Sequence, residues 1–274
     1  MFETARPNQS KLTLQEVNLT DIKLSILLPV RNEGIHLPFT IKILQAIVDV
    51  PHEIIVICDF PEDDSVPAVK QLQPEYTNLR LVINTLGPGV INAIRTGVDT
   101  ASGEYILIYA VDEIAPIRAF EDMIALLDEG CDFVNCTRYA HGGRRLGGNI
   151  LGGLLSRIAN RLLQILTGSA LSDCTTGLKM FRSATFYSLH LEAKPIGWAF
   201  AFEMSIKAQI LGLKLGEVPV TSIDRLYGGK STFRLGPWFF EYLRWFWWGA
   251  IHMRHASSDK RPSVSVRIPI TIAP

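Results

Sequence analysis

Gly103 to Pro116 reads GEYILIYAVDEIAP. Ile106, Leu107, Ile108, Tyr109 and Val111 make an apolar run without polar alternation, punctuated by Gly103 and Pro116, which is the pattern of a parallel strand buried on both faces. The run closes on Asp112 and Glu113. Open α/β sheets bind ligands outside the carboxyl ends of their strands, so carboxylates delivered there are candidates to hold a metal and a diphosphate. A competing reading has Asp112 cap a helix that begins near Pro116.

Outward from this strand the same texture repeats. LSILLPV (24 to 30), EIIVICD (53 to 59) and LRLVIN (79 to 84) read as buried strands, with helices over 37 to 48 and from Gly89 to about Thr100. Downstream, Ala119 to Asp128 reads as a helix, CDFVNCTRY (131 to 139) as a strand, and DCTTGLKMFR (173 to 182) as a turn and short strand. Such βα alternation predicts an α/β fold whose mostly parallel sheet is covered on both faces. Three Gly-Gly pairs, at 142, 147 and 152, predict a mobile surface loop. The helix after it, from near Leu154, puts Arg157 and Arg161 on one face and Leu154, Ile158, Leu162 and Ile165 on another. Phe200 to Leu211 is a further helix, and residues 215 to 225 are a late strand running into a basic loop.

From Pro237 the chain is aromatic: PWFFEYLRWFWWGAIHMRH. At about 100° per residue Glu241, Arg244, His252 and His255 share one stripe, and apolar side chains cover most of the rest. Two charges make a bilayer span improbable, so this helix is expected to lie in a membrane interface. The alternatives are packing against the rest of the chain or against a dimer partner. The expected organisation is an arm at 1–21, a nucleotide-sugar domain at 22–235, the amphipathic helix at 236–255 and a loose tail at 256–274.

The 274 residues are 47% hydrophobic, enough for a large core, and 27 basic residues cancel 27 acidic ones. No global field recruits nucleic acid. The four cysteines lack a CxxC pair and any zinc spacing, and read as reduced structural thiols. Residues 1 to 20 carry no apolar segment of signal-peptide length, so a cytoplasmic location is expected.

Three turns could meet a nucleotide. PVRNEG (29 to 34) offers Pro29, Arg31 and Glu33 at the end of the first strand; CDFPEDD (58 to 64) offers Asp59 to a base, with Asp63 either to position the loop or to serve as a cap; GPG (87 to 89) puts Gly89 at a helix start, where backbone N–H groups meet phosphate. Asn92 stands where a dinucleotide fingerprint needs glycine, and no GxxxxGK[ST] is present, which argues against a dehydrogenase or a P-loop enzyme.

Taken in order, PVRNEG, Asp59, GPGVINAIRTG, VDE, TRY, DCTTG, FEM and VPV…DR.YGGKS resemble family 2 glycosyltransferases, and more narrowly the dolichyl- and polyprenyl-phosphate sugar synthases, from about Leu24 to about Tyr242. The resemblance implies a GT-A fold, Mg²⁺ or Mn²⁺, a GDP- or UDP-sugar donor, inversion at the anomeric carbon, and a lipid phosphate acceptor met on the cytoplasmic membrane face. By the same resemblance Asp112 is the metal ligand, Asp59 touches the base, Asp112, Arg138 and Arg225 are the catalytic residues, and Arg225 and Lys230 belong to a loop that meets phosphates. Ala110 stands where the family's Asp-x-Asp has its first Asp, and Cys58 replaces the first Asp of the earlier turn. Two alternatives follow: a non-lipid acceptor, or a degenerate homologue without activity.

Overall fold

The computed structural model describes residues 22–113, 115–148, 150–223, 235–255 and 263–269. The first half is regular: β1 (Leu24–Val30), α1 (Leu37–Ile47), β2 (His52–Cys58), α2 (Ser65–Leu72), β3 (Leu79–Ile83), α3 (Val90–Thr100) and β4 (Tyr105–Ile108). A 3₁₀ turn at Ala115–Ala119 leads into α4 (Phe120–Asp128), β5 (Phe133–Thr137), β6 (Arg144–Leu146) and α5 (Ile150–Thr167). Then come β7 (Lys179–Arg182), α6 (Ser183–Ser188), α7 (Ala199–Ile210), β8 (Leu215–Pro219), β9 (Thr221–Ile223), α8 (Leu235–His255) and β10 (Val264–Val266).

Eight strands form one sheet in the order β10-β8-β5-β7-β4-β1-β2-β3, parallel throughout except for β7, which runs antiparallel between β4 and β5. The side-chain period of two sorts each strand between two cores. Leu24, Ile26, Leu28, Ile54, Val56 and Leu107 face the core shared with α1, α2 and α4. Leu27, Ile55, Ile57, Ile106 and Ile108 face the one shared with α3, α7 and α8. The expected mostly parallel sheet, covered on both faces, is what these residues build.

Four expectations change. β4 stops at Ile108; Val111 and Asp112 lie in a turn whose Glu113 N–H donates to the Ala110 carbonyl at 3.2 Å. A turn does not alternate its side chains as a strand does, so Glu113 is not directed away from Asp112 by strand geometry. Inside the glycine-rich segment, Arg144–Leu146 pairs in parallel with β9 as a second small sheet. α5 starts at Ile150, so Gly152 and Gly153 are helical despite their weak propensity. Finally, part of the expected loose tail is ordered: β10 extends the sheet beside β8, and Arg267 anchors it to Asp122 at 2.9 Å and Glu129 at 2.7 Å. The remainder of that tail and the arm at 1–21 lie outside the described residues.

α8 is present and buries one side rather than lying wholly open. Trp245 is 1% exposed, and Glu241, on the stripe read as polar, is 5% exposed because it accepts from the Trp245 indole and from the Lys194 backbone N–H, both at 3.2 Å. Packing against the rest of the chain therefore claims this face. Phe240, Leu243, Trp247 and Ile251 stay exposed on the other side.

Candidate active site at the carboxyl edge of the sheet

The turns after β1 and β2 are built as one unit. Asp63, buried, accepts from the Asn32 N–H at 3.0 Å and the Ser65 N–H at 2.9 Å, while Ser65 Oγ accepts from the Glu33 N–H at 3.0 Å. These bonds hold Asn32 in a left-handed conformation, φ 56°, which asparagine tolerates better than most residues. Glu33 spends its carboxylate on His36 at 2.7 Å and its carbonyl on the first amides of α1, so it opens that helix. Arg31 is exposed at the turn and Pro29 is half-buried at the strand end.

Asp59 ties the next loop to the same edge. Its Oδ1 accepts from Asn84 Nδ2 at 2.9 Å and its Oδ2 from the Gly89 N–H at 3.0 Å, so Asp59 and Gly89 are in direct contact. Asn84 also donates to the Gly87 carbonyl at 2.7 Å and accepts from Thr96 at 3.0 Å. Only glycine fits at position 89: its φ is 126°, and a Cβ would lie 2.6 Å from Pro195 Cβ. Beside this loop Cys58 is no nucleophile. Burial first, then the carboxylates of Asp63, Asp59 and Asp64, push its thiol up to about 12.

Asp112 and Glu113 occupy the turn at the end of β4, both half-buried, and Glu113 Oε1 accepts from Ser222 of β9 at 3.1 Å. The Tyr109 hydroxyl below them is fully buried without a hydrogen-bond partner, and its pKa is raised well above the usual value by burial and then by Glu113 and Asp112. No group of three His, Cys, Asp or Glu side chains able to hold a metal occurs among the described residues. Two adjacent carboxylates nevertheless fit a hard cation such as Mg²⁺, which takes one or two of them together with substrate phosphates and water.

Arg138, read as a catalytic cation, sits just past β5 in a buried ion pair. Its Nε donates to Asp173 Oδ2 at 2.7 Å and its Nη2 to Oδ1 at 3.0 Å, with side-chain exposures of 12% and 0%. Burial alone would lower the Arg138 pKa, but the Asp173 charge overrides it; Asp173 is likewise held low against its own desolvation. Thr175, Asn160 and Ser156 complete the network, and the Tyr139 hydroxyl bonds Ser156 at 2.8 Å. Gly177, in the same turn, lies under the Trp198 ring, where a Cβ would be 2.6 Å from a ring carbon.

Beneath the pair is a second buried cation. Lys179 is 0% exposed and donates to Asn135 Oδ1 at 2.6 Å and Ser205 Oγ at 2.7 Å; Asn135 in turn donates to the Asp173 carbonyl at 2.8 Å. Burial lowers the Lys179 pKa to about 8 despite the neighbouring Cys174 and Asp173. Glu217 on β8, its pKa raised by burial, accepts from Ser172 N–H and Oγ at 2.9 and 2.7 Å. Glu203, in the FEM segment, clamps the Glu192 and Ala193 amides at 2.6 and 2.8 Å.

The structure thus brings Asp59 and Gly89 together, places Asp112 at the end of β4 and gives Arg138 a carboxylate partner. Arg225 and Lys230 lie outside the described residues. Asp173, Lys179 and Asn135 were not singled out as site residues. Their signal was a lysine and an asparagine within otherwise apolar strand runs, GLKMF and CDFVNCT, since buried polar groups require partners.

Comparison with known proteins gives these positions a context. The chain is 26% identical over 226 residues to a dolichol-phosphate mannosyltransferase of Pyrococcus furiosus, covering 81% of this chain and 62% of the relative. To an undecaprenyl-phosphate 4-deoxy-4-formamido-L-arabinose transferase of Enterobacter sp. it is 26% identical over 211 residues, covering 75% and 61%. The chain therefore spans less than two thirds of the length of these curated relatives. Glucosyl-3-phosphoglycerate synthase of Mycobacterium tuberculosis, solved with Mn²⁺, UDP and glucosyl-3-phosphoglycerate, superposes with a TM-score of 0.64 at 18% identity over 90% of this chain and 86% of that one, a likeness of GT-A type fold. The model of glycosyl transferase family 2 matches residues 25–189, from β1 through the Asp112 turn and the Arg138 pair to the end of α6. With more than half of its length matched, and with the fold to accompany it, the chain belongs to glycosyl transferase family 2.

Proposed function

We propose that the chain transfers a sugar, with inversion, from a nucleotide diphosphate donor to a polyprenyl phosphate at a membrane surface. The observation that carries the lipid part is an apolar outer surface. Ile150, Leu151, Leu154, Ile158, Leu162 and Ile165 of α5 are all exposed, Ile150 to 86%, and the exposed side of α8 adds Phe240 and Trp247. Isolated exposed apolar side chains are ordinary, but a whole helix face of them marks an interaction site. No described helix is long and apolar enough to cross a membrane, and a helix lying in the interface needs no such length of apolar sequence. The names of the Pyrococcus and Enterobacter relatives point to the same class of acceptor.

On the donor side, Asp63 and Asp59 preform the loops against which a nucleotide rests, and Asp112 with Glu113 would hold Mg²⁺ or Mn²⁺. Such a cation, when bound, acts as a Lewis acid on the diphosphate oxygens. A phosphate monoester acceptor is already anionic near neutral pH, its second pKa being about 6. No strong base is needed at the attacking oxygen. What the chain must supply is position and positive charge, which offsets repulsion between acceptor and donor. Arg225 and Lys230 are candidates for that charge by family resemblance.

The test offers UDP- and GDP-sugars labelled in the sugar, with Mn²⁺ or Mg²⁺, together with undecaprenyl or dolichyl phosphate. Label should move to the organic phase on extraction. Label appearing only on water-soluble acceptors would replace the lipid reading, and no turnover with any donor, unless an Ala110→Asp variant restores it, would favour a binding protein without activity.

A further inference from the structure

A cavity of about 590 Å³ lies between α5, the Tyr139–Ala140 segment and Ser172. That size is ordinary for a small-molecule site. Its α5 wall carries two kinds of side chain in register. Leu154, Ile158 and Leu162, four residues apart, form an apolar strip, and Arg157 and Arg161, also four apart, run beside it. Residues 150 to 167 contain no acidic side chain. Among the described residues neither arginine has an ion pair or hydrogen bond; Arg157 instead stacks over the Tyr139 ring at 5.6 Å.

The contrast with Arg138 decides what this cavity suits. Arg138, on the Tyr139 ring at 5.1 Å, already has its charge matched by Asp173, whereas no described carboxylate pairs with Arg157 or Arg161. Guanidinium groups on adjacent turns of one helix face suit an oxyanion such as phosphate, because their donors match its oxygens. An apolar strip alongside has no use for a free inorganic anion, and Leu151 and Ile165 prolong it beyond the cavity onto the exposed face. We propose that Arg157 and Arg161 hold the phosphate of a single-chain isoprenyl phosphate whose hydrocarbon lies along Leu154, Ile158 and Leu162. Naming this ligand as the acceptor rests on the transfer reaction proposed above; the binding site itself does not.

Calorimetric titration of the full chain with farnesyl phosphate, below its micellar concentration, tests the site without turnover. The double variant R157A/R161A should weaken binding by about tenfold or more, since charge-assisted contacts are lost, and R157K/R161K should recover most of it. Ile158→Ser should weaken farnesyl phosphate but leave glycerol 3-phosphate unchanged. Farnesol and glycerol 3-phosphate, each carrying one half of the ligand, should both bind at least about tenfold more weakly than farnesyl phosphate. An unchanged Kd in R157A/R161A overturns the proposal, as does glycerol 3-phosphate binding as tightly as farnesyl phosphate. Capture by phosphatidylglycerol vesicles without any binding of soluble farnesyl phosphate would also overturn it, in favour of a bilayer headgroup contact. Transfer assays separate the two readings. Lipid transfer whose acceptor KM ignores the arginine pair removes the site and keeps the reaction, whereas arginine-dependent binding without transfer keeps the site and removes the reaction.

Discussion

The edge around Asp59 and the edge around Arg138 both sit at carboxyl ends of strands, yet they are held together by opposite means. At the first, carboxylates bind backbone: Asp63 takes the amides of Asn32 and Ser65, and Asp59 takes that of Gly89. At the second, charged side chains bind one another in the interior, where Arg138 and Asp173 form a bidentate pair and Lys179 stands below with only neutral partners. Carboxylates that bind backbone shape a loop and leave it at the surface to meet a ligand. A buried charge pair fixes a framework, because separating it leaves an uncompensated charge in a low dielectric. Arg138 is thereby better placed to orient the Tyr139 segment than to act as a freely moving cation.

The comparison can be pressed hardest at the turn between the two edges. Asp112→Asn should lower transfer on the order of a thousandfold, by removing the carboxylate that would hold a cation on the donor diphosphate, while the melting temperature stays near that of the native chain. Equal turnover rates would move the metal to other residues.

Next in size is the buried pair. Asp173→Asn should destabilise the fold by about 3–5 kcal/mol, read from urea unfolding, because Arg138 keeps its charge without an anion. A change of less than about 1 kcal/mol, the range of a surface pair, would show that Arg138 reaches solvent when Asp173 is lost.

Lys179 gives a pH signature. Burial lowers its pKa to about 8 from 10.5, so between those values the unfolded chain holds a proton that the folded chain has released. Stability contributed by this group therefore rises as pH increases from 8 to 10.5. Lys179→Met should flatten that rise, because the group that titrates is gone. A rise that persists in the variant would assign it to another group.

The smallest effect belongs to the edge around Asp59. Asp59→Ala leaves the Gly89 amide without its acceptor, which should cost about 1–3 kcal/mol and raise the donor KM while leaving kcat close to native. A fall in kcat with KM unchanged would contradict the role of Asp59 as a loop-holding group.

Sequence patterns disclosed the two edges unequally. The strands through β4, and Asp63 as the residue that positions a loop, were legible because buried parallel strands are continuously apolar and turn residues act on near neighbours. β7 was recognisable as a short strand, but its antiparallel insertion between β4 and β5 was not, since strand order is not written in local periodicity. The small β6–β9 sheet was hidden under the glycines, and β10 under a polar tail, because short strands draw their stability from the partner and not from their own pattern. On α8, helical spacing found the helix and the stripe that carries Glu241, but not the approach of the Lys194 amide, 47 positions earlier, which with the Trp245 indole accounts for its burial.

By itself the sequence determined the α/β alternation, the apolar strands, the placing of Asp112 and Glu113 after the apolar run that forms β4, and the order of motifs that marks family 2 glycosyltransferases, all of which are local patterns or their succession along the chain. Tertiary structure alone decided which charges are matched. Asp173 lies 35 residues from Arg138 and neutralises it, whereas nothing described comes close enough to neutralise Arg157 and Arg161. Charge compensation depends on distance and dielectric in space, and neither quantity is carried by the spacing of residues along a chain.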